Sequence, residues 1–136
     1  MDVSAVVTIG SVLAGIAGAV HVYIWLLESV LWTRDSTRRA FGVRTPEEAE
    51  TLRVMAYNQG FYNLFLALGV LVGLVLLWSG LAVAGIVLTL FACLSMVLAA
   101  LVLISSDRRM LRPALVQGAV PLLAVLLLGY ALTQTA

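Results

Sequence analysis

His21 and Glu28 are the residues of this chain best suited to handling a proton, and both stand inside an otherwise apolar run. Imidazole changes charge at about pH 6.5, within the physiological range. The two are seven residues apart, almost two helical turns, so a straight α-helix puts them on one face with Trp25 between them. Their separation in depth would be roughly 10 Å. A histidine near mid-membrane above a carboxylate near the interface has the layout of a proton relay. In a water-poor site the same pair would supply a general acid and a general base. A charge in hydrocarbon costs about 2.5–3.5 kcal/mol even on lenient scales, so its presence asks for a reason.

Amides gather in a second segment, Asn58-Gln59-Gly60-Phe61-Tyr62-Asn63. On a helix Asn58 and Tyr62 share one face, and Gln59 and Asn63 share another about 100° round. Gly60 is expected to permit a local bend. Gln117 stands between Pro113 and Pro121, and Ser95 falls near mid-depth of a third apolar run. The candidate ligand-binding or proton-relay set is therefore His21, Glu28, Asn58, Gln59, Tyr62, Asn63 and Gln117, with Trp25 and Ser95 ranked behind them. A plainer reading stands beside it. Glu28 would snorkel to the interface or pair with a loop arginine, His21 would donate to a backbone carbonyl, and the amides would join helices. One histidine and one carboxylate seven residues apart are not a recognised metal site, and Cys93 reads as a small apolar filler. No phosphate loop, nucleophile elbow or paired-cysteine motif is present, and the cofactor is left unknown.

The elements that carry these residues follow from composition. Of 136 residues, 62% are hydrophobic and 11% charged, at a mean hydropathy of +1.09. A soluble domain carries about 25% charged residues, so this chain is expected to have lipid as its solvent. A net charge of +1 gives nucleic acid nothing to bind. Spanning helices need about 20 apolar residues. Four are expected, over about 4–32, 46–78, 81–104 and 113–133, forming one all-α integral membrane four-helix bundle over residues 1–136. The chain start lacks the basic residues of a signal peptide. Thr45-Pro46-Glu47-Glu48 reads as a capping box with proline at the first helical position.

All eight basic residues are arginine, and all lie in the segments 33–56 and 105–112. Arginine-rich loops stay cytoplasmic, so the expected topology has both termini outside, in the cytoplasmic (inner) membrane. Trp25 and Trp32 at one boundary, and Trp78 and Tyr130 at the other, are expected in aromatic belts. The polar candidates then fall in the cytoplasmic half. That predicts a polar pocket open to the cytoplasm or the inner leaflet and closed outward. Ala17, Ala14 and Gly10 continue the face of His21, and small residues let a neighbouring backbone approach. Gly10, Ala14, Gly69 and Gly73 are also candidate faces for a homo-oligomer.

His21-Val22-Tyr23-Ile24, Glu28, Trp32, Phe41-Gly42, the run Asn58 to Ala67 and Val116-Gln117 before Pro121 together resemble the family called domain of unknown function 1304. The resemblance spans nearly the whole chain and implies a four-helix membrane fold. The matched positions are His21, Glu28, Asn58, Gln59, Gly60, Tyr62, Asn63 and Gln117, while the third helix matches poorly. The family implies no activity. Three functions compete: binding or transport of a small solute or amphiphile, a membrane enzyme using His/Glu acid–base chemistry on a lipid-soluble substrate, and a structural or assembly subunit. The lipid bilayer and a small-molecule or lipid-like ligand are the expected partners.

Overall fold

The computed structural model describes residues 2–134, and among them only helices and their connections occur. Helix α1 spans Val3–Trp25 and passes into a π-helical turn, Leu26–Val30. A short α2, Asp35–Ala40, follows. Then come α3 (Pro46–Trp78), α4 (Ala82–Ser106), a 3-10 turn (Arg108–Met110) and α5 (Leu111–Thr133). Four segments are long and apolar enough to cross a membrane: Val3–Val30, Pro46–Trp78, Ala82–Ser106 and Arg108–Thr133. They mark the chain as a membrane protein.

The cap of α3 forms as its sequence implies. Thr45 accepts from the Glu48 amide at 3.1 Å, and the Glu48 carboxylate accepts from the Arg44 amide at 3.0 Å. Helix α5 opens two residues ahead of Pro113, which its first turn tolerates because the missing N–H would have no helical partner there. Trp32 departs from the aromatic-belt expectation. It is buried, its indole Nε1 donates to the Ala49 carbonyl at 2.8 Å, and it packs with Val43, Ala49 and Ala56 in a small cluster at the arginine-bearing end.

The long helices form a ring in which α1 touches α3 and α5, and α4 touches the same two. Their buried seams recur every three or four residues. In α3 Ala49, Ala56, Asn63, Val70 and Leu77 form a strict seven-residue repeat, with Gly60, Ala67 and Gly73 buried between them. Lipid is as apolar as leucine, so close packing has to hold such helices together. Glycines supply it. A Cβ on Gly10 would press on Leu128 of α5, one on Gly69 would touch Ala92, and one on Gly73 would collide with Thr89. The faces of Gly10, Ala14, Gly69 and Gly73 are thus occupied inside the chain. The homo-oligomer expected through them gains no support: the same small side chains that would admit a second copy pack against α4 and α5.

These contacts are unevenly distributed along the bundle. Toward the end that carries the termini, α1 meets α5 at Gly10 and α3 meets α4 at Gly73 and Gly85. Toward the arginine-bearing end the tight contacts lie within two pairs. Gly60 of α3 abuts Ser29, just after α1, and Gly118 of α5 abuts Ala100 of α4. The α1–α3 pair and the α4–α5 pair therefore separate at that end, and a wedge opens between them.

Candidate functional site

The wedge is a cavity of about 950 Å³. Helix α1 and its π turn contribute Val20, Ile24, Leu27 and Glu28, and α3 contributes Gln59 and Asn63. Across from them stand Ala99, Val102 and Leu103 of α4, with Val116 and Gln117 of α5. Arg39 and Phe41, and then Arg112, sit at the arginine-bearing end. The walls are mostly apolar, and the polar groups form a narrow belt.

Glu28 is the centre of that belt. Its side chain is buried, and Asn63 Nδ2 donates to its Oε2 at 2.9 Å. The same amide group donates to the Gln59 carbonyl at 3.2 Å, which fixes its orientation. Asn63 is buried because it occupies the seven-residue seam of α3. Glu28 is brought to it by two local features. The π turn advances less per residue around the axis than an α-helix, so it takes Glu28 out of the register counted from His21. Gly60 then lets the turn lie directly on α3: a Cβ there would collide with Ser29 Oγ and come within 3.1 Å of Glu28 Cβ. Ser29 Oγ closes the contact by donating to the Tyr57 carbonyl at 3.0 Å. Gly60 therefore serves close approach rather than the expected bend, since α3 runs unbroken through it.

Glu28 also borders a second, smaller cavity of about 450 Å³, lined by Ser29, Trp32, Arg53 and Tyr57 among others. Glu28 thus borders both the wedge and a recess lined by residues of the loop end. Arg53, in that recess, is paired with Glu50 at 3.3 Å.

The expected set divides. Glu28, Gln59, Asn63 and Gln117 line one cavity. His21 does not. Its ring is buried, and Nδ1 donates to the Ala17 carbonyl of its own helix at 2.9 Å. His21 and Glu28 are both buried but do not line the same cavity, and the π turn between them interrupts the α-helical periodicity that predicts a shared face. Asn58 and Tyr62 are exposed, on the side of α3 opposite its seam. Trp25 meets Phe61 edge-on at 6.2 Å and does not line the wedge, and its Nε1 is buried with no hydrogen-bond partner among the described residues. Ser95 donates to the Phe91 carbonyl at 2.8 Å, within α4. Pro121 has no N–H to give the carbonyl of Gln117, four residues before it, so α5 is weakened at the level of the belt.

Arg39, Phe41 and Arg112 went unnoticed as lining residues. One signal for α2 was legible: Asp35 at its start and Arg38 and Arg39 at its end match a helix dipole. That the C-terminal end of α2 borders the wedge has no local signal.

Fold and cavity define a membrane-embedded four-helix bundle that splays at one end around a buried carboxyl–amide pair. The chain belongs to the family described as Protein of unknown function (DUF1304), which matches residues 15–129. No curated protein and no solved structure matches it.

Proposed function

We propose that this protein binds a small amphiphile in the wedge, entered from the cytoplasm or the inner leaflet. The observation that carries the reading is the cavity itself, with apolar walls around the Glu28–Asn63 pair. Pockets of about 300–1,000 Å³, mostly apolar with a few placed polar groups, are the usual form of a small-molecule site. A bundle built only as scaffold needs the glycine contacts but has no use for a splayed end. An enzyme using His21 and Glu28 together is poorly served, because the ring of His21 is held by Ala17 and lies off the wedge. Release to the far side would require the glycine contacts near the termini to part, so binding is favoured over transport.

The arginines support the direction of entry. All eight fall at one end of the bundle, and arginine-rich loops are retained in the cytoplasm. Both termini then face outward. Maleimide labelling of intact cells should modify Ser4→Cys and Gln134→Cys but spare Arg109→Cys, with Cys93 silent because it is buried. Labelling of Arg109→Cys alone would invert the topology.

The binding role is tested by native mass spectrometry of the protein purified in a non-ionic detergent. A small molecule should travel with it and dissociate on activation. Ala99 lines the wedge yet is exposed, so Ala99→Trp fills the space without entering the packed seam. Occupancy should fall at least about tenfold, equivalent to about 1.4 kcal/mol. Glu28→Gln keeps the shape of the belt and should weaken retention while the fold persists. Unchanged occupancy in Ala99→Trp would remove the wedge as the site.

A further inference from the structure

The wedge carries charge in a particular order. Its lining holds one carboxyl, on Glu28, and two guanidinium groups, on Arg39 and Arg112. Glu28 lies in the belt, already engaged by Asn63. Arg39 and Arg112 belong to α2 and to the first turn of α5, which form the mouth. Neither cation is neutralised there. Arg39 reaches Asp35 only at 3.9 Å, between two exposed side chains, where an ion pair contributes little. Arg112 has no ion-pair partner among the described residues. The mouth therefore presents two guanidinium groups, whose forked donors suit carboxylate or phosphate oxygens.

Beyond the belt the cavity is hydrocarbon in character. From Glu28 to Val20 the α1 wall rises by about 12 Å, lined by Leu27, Ile24, Tyr23 and Val20 and faced by Ala99 and Val102, with the Tyr23 hydroxyl its one polar group. A ligand matching this order has an anionic head, a hydrogen-bonding group at the level of Gln59 and Gln117, and an apolar tail.

The geometry points to an anionic single-chain amphiphile as the ligand: a carboxylate or phosphate head between Arg39 and Arg112, and one hydrocarbon chain running past Glu28 toward Val20. This rests on the wedge being a binding site. A cationic head would meet two guanidinium groups before reaching Glu28, and a free anion would leave the apolar walls unfilled. The volume suits one chain of a small molecule.

The test uses the purified protein in a non-ionic detergent with five probes: oleate, 1-oleoyl-lysophosphatidic acid, 1-oleoyl-lysophosphatidylcholine, oleyl alcohol and inorganic phosphate. Native mass spectrometry and competition titration give their relative affinities. Oleate or the lysophosphatidic acid should bind at least tenfold more tightly than the zwitterionic and neutral chains, and whichever is tighter identifies the head. Arg39→Gln combined with Arg112→Gln should abolish that preference and leave oleyl alcohol unaffected. The double lysine variant, which keeps both charges, should retain most of it. Both arginines are exposed, so neither variant burdens the fold. Equal binding of all four chains would overturn the anionic ligand, and a preference that survives the double glutamine variant would overturn the seat of its head between Arg39 and Arg112. If that binding is still blocked by Ala99→Trp, the wedge remains a site. Phosphate competing as well as the lysophosphatidic acid would overturn the amphiphile in favour of a free anion. Failure of every probe to bind in an Ala99→Trp-sensitive way would overturn both the ligand class and the reading of the wedge.

Discussion

Gly85→Ala should destabilise the bundle by about 3 kcal/mol, at the upper end of what overpacking costs. The added methyl would collide with the backbone nitrogen of Leu77 and stand 2.6 Å from the carbonyl oxygen of Gly73. Both neighbours are main chain, so no rotamer change relieves the clash. Helices α3 and α4 would have to move apart over the turns where Gly73 meets Thr89, whose Oγ1 donates to the Gly85 carbonyl at 2.8 Å. That crossing holds the two pairs together at the terminal end, so its loss should release the wedge as well. Gly129→Ala is the control. Nothing lies within 4 Å of the position. Removing a mid-helix glycine there should leave stability unchanged or raise it by up to about 1 kcal/mol. Equilibrium unfolding in mixed detergent micelles compares the two. If they differ by less than about 0.5 kcal/mol, the α3–α4 crossing is not as close as described.

Asn63→Leu should cost about 2 kcal/mol, because it leaves a buried carboxyl without its amide donor. The shape change is small, so the loss comes from the unsatisfied acid rather than from a void. Adding Glu28→Met should recover part of that loss, since an apolar pair of similar size needs no hydrogen bond. A double-mutant cycle isolates the coupling, expected at about 1 kcal/mol or more. Strict additivity would mean that the Glu28–Asn63 bond contributes nothing, and the belt would lose its central contact. Ligand retention offers a second readout. Asn63→Leu should impair it even where the protein stays folded, because Asn63 lines the wedge.

The carboxyl–amide pair shows where reading residues in order succeeds and where it fails. Glu28 and Asn63 were both recognisable, because each is a polar group in an apolar run and hydrocarbon penalises such groups. Gln59 and Gln117 stood out in the same way. Asn58 and Tyr62 carried the same signal and still lie on the exposed side of α3. Burial of a polar type was legible for the segment but not for the face. His21 lies off the wedge although Glu28 lines it. A seven-residue spacing shares a face only at 3.6 residues per turn, and the π turn at Leu26–Val30 changes that count. No residue in Leu26-Leu27-Glu28-Ser29-Val30 forces a π turn by itself. The close approach of Gly60 accompanies it, and that is a contact between distant parts of the chain.

Residue order alone set the number of spanning helices, their approximate limits and the capped start of α3. The physical reason is that a bilayer needs about 20 apolar residues per crossing, and caps and prolines act locally. It also determined that every arginine gathers at one end. Which face of each helix lies inside is settled by packing between distant parts of the chain. Helices that are apolar all round carry no periodic signal for a core, and lipid and protein are equally acceptable to a leucine. The seam is chosen by where small residues on two helices meet, as Gly85 meets Leu77 and Gly60 meets Ser29. The wedge follows from that choice. It opens where those meetings are confined to two separate pairs, and α2 brings Arg39 to its mouth from a loop whose own sequence gives no destination.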